Sequence, residues 1–288
     1  MNSNNISSQN DFEIEINENL ESWDAIANMH AQGTGAEFYR IKQWLAGESK
    51  IAPWEIEELG PVEGKSLLHL QCHIGTDTLS WAREGAIVTG LDFSKQAIIE
   101  AKRFAKILDF PEAKFVVSHV KDAVSALNGE KFDILYTGRG ALCWLPNLDE
   151  WASICAQLVI PGGVLYLEEC HPFSDLMEVV STGDEKELKI HHNMFSKKPV
   201  TFHDQGSYAD KNAKTGIRKS HCWEHGFGKI INSLINNGFN IEMMNEREES
   251  FFEPWEGFLE HSRPNYWKFK EGFIPIPMSF TLRARREQ

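Results

Sequence analysis

Apolar residues in this chain fall into short runs separated by stretches with helical spacing. Ser66 to Cys72 (SLLHLQC) reads as a buried strand, HIGTDT (His73 to Thr78) as a tight loop entering a helix, and Gly85 as that helix's end. Ala86 to Ser94 forms a second strand with Asp92 just past its last apolar residues. Ser94 is a good N-cap for a helix whose buried face is Ala97, Ile98, Ala101, Ala105 and Leu108. Further strands follow at Lys114 to Val120, Phe132 to Gly138 and, after the Pro161-Gly162-Gly163 turn, Val164 to Cys170. A helix carrying Leu148, Trp151, Cys155 and Leu158 separates the last two of these. A stripe of Phe227, Ile230, Ile231, Leu234 and Ile235 closed by Gly238 gives another helix. Phe239 to Glu246 is a sixth strand, and Met278, Phe280, Leu282 and Ala284 alternate as a seventh. Strands alternating with helices require right-handed crossovers and a parallel, doubly wound α/β sheet. The link from the sixth strand to the seventh has no helical stripe, so the last strand is expected to run antiparallel.

The flanks follow other patterns. Residues 1–17 are Asn/Ser-rich without periodicity and are expected to be a loose tail. Residues 18–60 are helical in pieces broken at Gly33, Gly35 and Gly47, and are expected to fold as a cap over the sheet's ligand edge. Trp23, His30 and Tyr39 are its candidates for touching a ligand. Residues 61–288 form the main domain, within which polar residues 171–224 break the rhythm as a lid or an insertion with its own hairpins.

Charge narrows the partners: a net −13 argues against nucleic acid or an anionic membrane, and no run is long enough to span a bilayer. The start of the chain is polar and acidic and resembles no targeting segment, and the five cysteines are unclustered, as suits a reduced cytoplasm. Six of the eleven histidines lie between His171 and His225, but their spacing fits no usual metal-ligand pattern, so no metal is expected.

Residues 66–94 carry the chemistry. Strand, loop, helix, strand and terminal carboxylate form a βαβ unit suited to a nucleotide: helix-start N–H groups take an anionic group, and Asp92 takes two ribose hydroxyls. Asp92, His119, Gly138 and Glu169 all fall on the carboxyl rim of the sheet, where ligands of such folds sit. Glu168 and Glu169 face opposite ways, so only one of them points at that rim.

With its acid-tipped second strand and final antiparallel strand, the chain resembles the class I S-adenosylmethionine-dependent methyltransferases, whose fold is Rossmann-like. HLQCHIGTDTLSWA, YTGRGALCWLPNLDEW, ECHPF, CWEHGF and PMSFTLRAR look like a bacterial subgroup with an HLQCH first motif. The resemblance implies S-adenosylmethionine as cofactor, bound around the first-motif residues Gln71, Cys72, His73 and Gly75. It implies Asp92 at the ribose, Phe93 beside adenine, His119 and Val120 where the family reads adenine, and Asp122 standing in for an acid the family has at 119. Thr137 and Gly138 fall where the family's fourth-strand turn passes the methionine moiety. The sequence departs from the family where His69 replaces an acid and Gln71 and His73 replace two glycines, which places polar side chains near the cofactor's methionine end.

The implied reaction is methyl transfer to an O- or N-nucleophile of a small-molecule acceptor by direct displacement, which needs alignment, exclusion of water and, for a protonated nucleophile, a base. His171 and His225 are the candidate bases, and Tyr208 and Trp223 the candidate lid aromatics of an acceptor pocket. Two alternatives share the layout: a sensor or scaffold that binds the cofactor without transfer, and a dinucleotide-dependent oxidoreductase, which the missing GxGxxG disfavours.

Overall fold

The computed structural model describes residues 12–183 and 185–288. Three helices precede the sheet: α1 (Glu13–Gln32), α2 (Ile41–Leu45) and α3 (Pro53–Leu59). The α/β core follows as β1 (Ser66–Leu70), α4 (Thr76–Arg83), β2 (Ile87–Asp92), α5 (Lys95–Ile107), β3 (Lys114–Val117), α6 (Ala123–Ala126), β4 (Phe132–Gly138), α7 (Leu148–Leu158) and β5 (Val159–Cys170). The insertion holds two hairpins, β6 (Met177–Thr182) with β7 (Glu185–Ile190) and β8 (Val200–Asp204) with β9 (Arg218–Cys222). The chain ends with α8 (Phe227–Asn236), β10 (Phe239–Arg247), the hairpin β11 (Leu259–Arg263) and β12 (Tyr266–Phe269), and β13 (Ser279–Arg286).

Seven strands make one sheet in the order β10-β13-β5-β4-β1-β2-β3. β13 pairs antiparallel with both β5 and β10, whereas β1 to β5 are mutually parallel, as the patterning predicts. Alternate residues serve opposite faces. Leu68, Leu70, Leu135, Leu165 and Leu167 pack with α7 and α8, while Leu67, Ile134, Tyr136, Val164 and Tyr166 pack with α3 and Trp81 of α4. β2 lies on one side of β1 and β4 on the other, so a crevice opens at the carboxyl ends of β1 and β4.

Several boundaries differ from the sequence reading. β5 begins at Val159, so Pro161-Gly162-Gly163 forms an irregularity within the strand and not a turn before it. The first helix is continuous from Glu13, which takes residues 13–17 out of the expected loose tail; residues 1–11 lie outside the described residues. β3 ends at Val117, three residues early, because the His119 ring turns back to accept the Lys121 N–H and caps a short 3-10 turn. The link between β10 and β13 has no helix, as expected, but carries the β11–β12 hairpin.

α1 is clasped to the insertion. Asn19, buried, donates to the His221 carbonyl at 2.9 Å and accepts the His221 N–H at 2.7 Å. Glu18 meets the His221 ring at 2.6 Å and Lys219 at 3.0 Å. On the other side, Asp24 of α1 accepts the Ser94 hydroxyl and the Gln96 N–H, both at 2.8 Å, tying the helix to the start of α5.

Candidate functional site

The loop from β1 to α4 is the core of the crevice. Gln71, His73 and Gly75 have φ of 56°, 47° and 76°, a left-handed conformation at alternate residues. Glycine adopts it freely, and a side chain there costs about 1 kcal/mol or more. In an otherwise buried stretch, Gln71, His73 and Asp77 are half-buried and face the crevice, as are Phe93 beyond β2 and Gly138, Arg139 and Gly140 beyond β4. Gln71 donates to the Ala141 carbonyl at 2.8 Å across the crevice, and its Oε1 is buried without a partner. Thr137 Oγ1 is likewise unpartnered.

Asp92 ends β2 nearly buried. Its carboxylate accepts the His73 N–H and the Ser94 N–H, each at 2.8 Å, one on each oxygen, which leaves each oxygen a further lone pair. Burial pushes this carboxyl up to about 6, and the two N–H groups hold it from rising further. Phe93 and His119 lie with ring centroids 6.1 Å apart on the same rim. Val120 is buried in the core beneath them, and Asp122 is exposed on the turn that follows.

α1 and the insertion roof the loop. His73 Nε2 lies 2.9 Å from His30 Nδ1, and His30 Nε2 lies 2.7 Å from Ser207 Oγ. Trp23 packs edge-on to His73 with centroids 5.1 Å apart and to Trp144 at 5.2 Å; Tyr39 lies 5.9 Å from His73. The Tyr39 and Tyr208 hydroxyls bond to each other. Burial drives both imidazoles toward the neutral form, His73 to about 3. Trp23, His30, Tyr39 and Tyr208 therefore converge on the first-motif loop.

Four of the sequence candidates do not. His171 is buried with Nε2 on Glu246 at 2.8 Å and Nδ1 accepting the Phe173 N–H at 3.1 Å, so neither nitrogen is available as a base. His225 places Nε2 on the Leu145 carbonyl at 2.8 Å. Trp223 is buried against Phe12, with its backbone N–H on the Cys143 carbonyl. Cys72 turns into the core, where its sulfur packs near Gly90 and Phe115. The acidic pair faces opposite ways, as expected, with both residues buried: Glu168 turns to Arg139, Trp54 and Tyr266. Glu169 accepts the N–H groups of Gly140, Ala141 and Leu142 at 3.1, 2.7 and 3.0 Å and so shapes the loop after β4.

The sequence reading missed the opposite wall. Arg139, left-handed at φ 61° between two glycines, bonds Glu55 at 2.6 Å, Tyr266 at 3.1 Å and the Lys50 carbonyl at 2.8 Å, with Glu168 at 3.3 Å. Burial pushes Glu55 up to about 8 against the pull of Arg139, because two buried carboxyls share one guanidinium. The only sequence signal was the Gly-Arg-Gly triplet after β4.

A family model described as a methyltransferase domain matches residues 68–165, the span from β1 through β5. The ubiquinone biosynthesis O-methyltransferase of Klebsiella pneumoniae is 31% identical over 185 residues, covering 60% of this chain and 74% of that protein. The chain belongs to the class I S-adenosylmethionine-dependent methyltransferases. The methyltransferase of the same name from Salmonella typhimurium is 34% identical over 113 residues, 38% of this chain and 44% of that protein. Among solved structures, an S-adenosylmethionine-dependent methyltransferase from Mesorhizobium loti superposes with a TM-score of 0.56 at 21% identity over 84% of this chain and all of that one. A putative one from Listeria monocytogenes gives 0.58 at 18% over 82% and 97%. These two share the fold. Membership makes S-adenosylmethionine the methyl donor and removes the dinucleotide oxidoreductase alternative. Among the described residues no helix is long and apolar enough to cross a membrane.

Proposed function

We propose that this methyltransferase moves the methyl group of S-adenosylmethionine to an oxygen or nitrogen of a small-molecule acceptor held under the roof of α1 and the insertion. The observation that carries the reading is the first-motif loop. It keeps a glycine-like left-handed backbone at 71, 73 and 75 although two of those residues have side chains. Backbone strain retained at a crevice is characteristic of a working site.

The residues present fit the donor. Asp92 keeps one lone pair on each oxygen for ribose hydroxyls, Phe93 and His119, tilted 55° to each other, offer two ring faces for adenine, and Val120 backs them. Asp122, being exposed, lies at the outer end of that edge. The unpartnered Gln71 Oε1 is an acceptor for an ammonium at the methionine end, beside Thr137 and the turn at Gly138, while Gly75 starts α4. The sulfonium supplies an already activated methyl group. What remains for the chain is to align the acceptor and exclude water, which Trp23, Tyr39 and Tyr208 do from above. The relatives named for O-methyl transfer favour oxygen as the attacked atom, and the net charge of −13 disfavours a nucleic-acid acceptor.

A tritiated-methyl assay over a panel of small alcohols, phenols and amines tests this. Transfer to at least one member, abolished by excess S-adenosylhomocysteine, is expected. Tight binding of S-adenosylhomocysteine with no transfer to any member would favour the sensor reading instead.

A further inference from the structure

Among the described residues, His30 and His73 are the one pair of histidines that bond to each other. We infer that His73, His30 and Ser207 form a proton relay that deprotonates a hydroxyaryl acceptor as it is methylated. The inference rests on the methyltransferase reading above.

Three observations meet here. The ring nitrogens form an unbroken chain: His73 Nε2 to His30 Nδ1 at 2.9 Å, then His30 Nε2 to Ser207 Oγ at 2.7 Å. The far nitrogen, His73 Nδ1, makes no hydrogen bond among the described residues and belongs to a half-buried side chain facing the crevice. The walls beside it are aromatic (Trp23, Trp144, Tyr39, Tyr208), which suits a flat ring stacked or set edge-on among them.

Two neutral imidazoles in series have two equivalent arrangements. With His73 Nδ1 bare, His73 Nε2–H donates to His30 Nδ1, and His30 Nε2–H donates to Ser207 Oγ. When the acceptor oxygen bonds to the methyl carbon, the carbon–sulfur bond breaks, the sulfonium becomes a neutral thioether and the hydroxyl becomes strongly acidic. Its proton goes to His73 Nδ1, the His73 Nε2 proton to His30 Nδ1, the His30 Nε2 proton to Ser207 Oγ, and the serine's own proton to solvent, to which Ser207 keeps 9% exposure beside the exposed Tyr208. Both rings end neutral with their tautomers reversed. The positive charge of the donor thus leaves a site in which burial resists an imidazolium. The charged groups around the pair agree: Arg218, which donates to Ser22 and Gly206, disfavours a proton resting on His30, while Asp92, with Asp24 behind it, meets His73 through its backbone N–H and not through its ring. Asp77 and the Tyr39–Tyr208 hydroxyl pair complete the surroundings.

The test uses the full chain and a series of substituted phenols spanning ionised nitrophenols to un-ionised alkylphenols. His30→Gln keeps a polar bridge but cannot exchange protons through a ring. It is expected to lower kcat by about 100-fold or more on un-ionised phenols and by less than about tenfold on ionised ones, with thermal protection by S-adenosylhomocysteine unchanged. Ser207→Ala, which removes the exit, is expected to show the same selectivity more weakly. The wild-type enzyme gives a reading that no variant's folding can disturb: a proton inventory in mixed H2O/D2O bowed by more than one moving proton. Equal losses on both phenol classes, no loss, or a linear inventory would overturn the relay. Thermal protection by S-adenosylhomocysteine with no transfer to any phenol would overturn the acceptor class and the relay together while leaving the methyltransferase reading standing. No protection at all would remove that reading as well.

Discussion

Gln71 shows how the site departs from the family pattern at the scale of one residue. Its left-handed backbone costs about 1 kcal/mol, and its side chain returns about as much through the bond to Ala141. Gln71→Gly is therefore expected to leave stability within about 1 kcal/mol of wild type in urea melts, while Gln71→Val, β-branched at positive φ, loses about 2 kcal/mol or more. A large loss with glycine would show that the side chain, not the backbone, holds the loop. Asp92 adds a pH signature. Its folded pKa of about 6 lies above the unfolded value, so the fold favours the protonated form and this residue's effect on stability worsens as pH rises from about 4 to 6. Ribose hydroxyls need the ionised form. S-adenosylhomocysteine affinity measured by calorimetry should rise between pH 5 and 7 and level off above, and Asp92→Asn should flatten that rise. At this scale the sequence placed Asp92 and Gly75 on the rim, because strand ends and loop spacing fix where they emerge, and offered Trp23, Tyr39 and Tyr208 only as candidates for a ligand contact. His171 and His225 misled because a histidine at a strand end or helix start looks the same whether its ring is free or, as here, held by Glu246 and the Phe173 N–H for His171 and through Nε2 by the Leu145 carbonyl for His225.

The seven strands and most core helices were legible because each buries an apolar face with its own period. α1 was legible only from residue 18 to its end at Gly33, its first turn being missed, and its inward face explains why. Its buried residues are Asn19, Ser22, Ile26, Ala27, His30 and Ala31, so polar bonds to the insertion do much of the work that an apolar stripe does elsewhere. The clasp is correspondingly sensitive: Asn19→Ala leaves a buried N–H and a buried C=O of His221 without partners and is expected to cost about 2–3 kcal/mol in a urea melt. It should also loosen the roof, read as faster amide exchange along β8 and β9 than along β1 and β4. Uniform exchange changes would show that α1 and the insertion do not act as a unit. The Arg139 wall escaped the sequence for a related reason, since its partners Glu55, Lys50, Glu168 and Tyr266 come from four separate segments that only the fold brings together.

For the molecule as a whole, the crevice is assembled from residues near 23–39, 71–77, 92–93 and 207–208, so it exists only when the N-terminal helix, the sheet edge and the insertion are all in place. A sheet of this order opens its ligand site at the switch between β1 and β4, and the strained loop lies there. Isothermal titration of S-adenosylhomocysteine into the intact chain and into Asp92→Asn tests this account most directly. The wild type should bind one equivalent, and the substitution should weaken binding about 10- to 100-fold, the worth of a charged hydrogen-bond acceptor. No binding to the wild type up to millimolar ligand, or identical binding to both proteins, would contradict it.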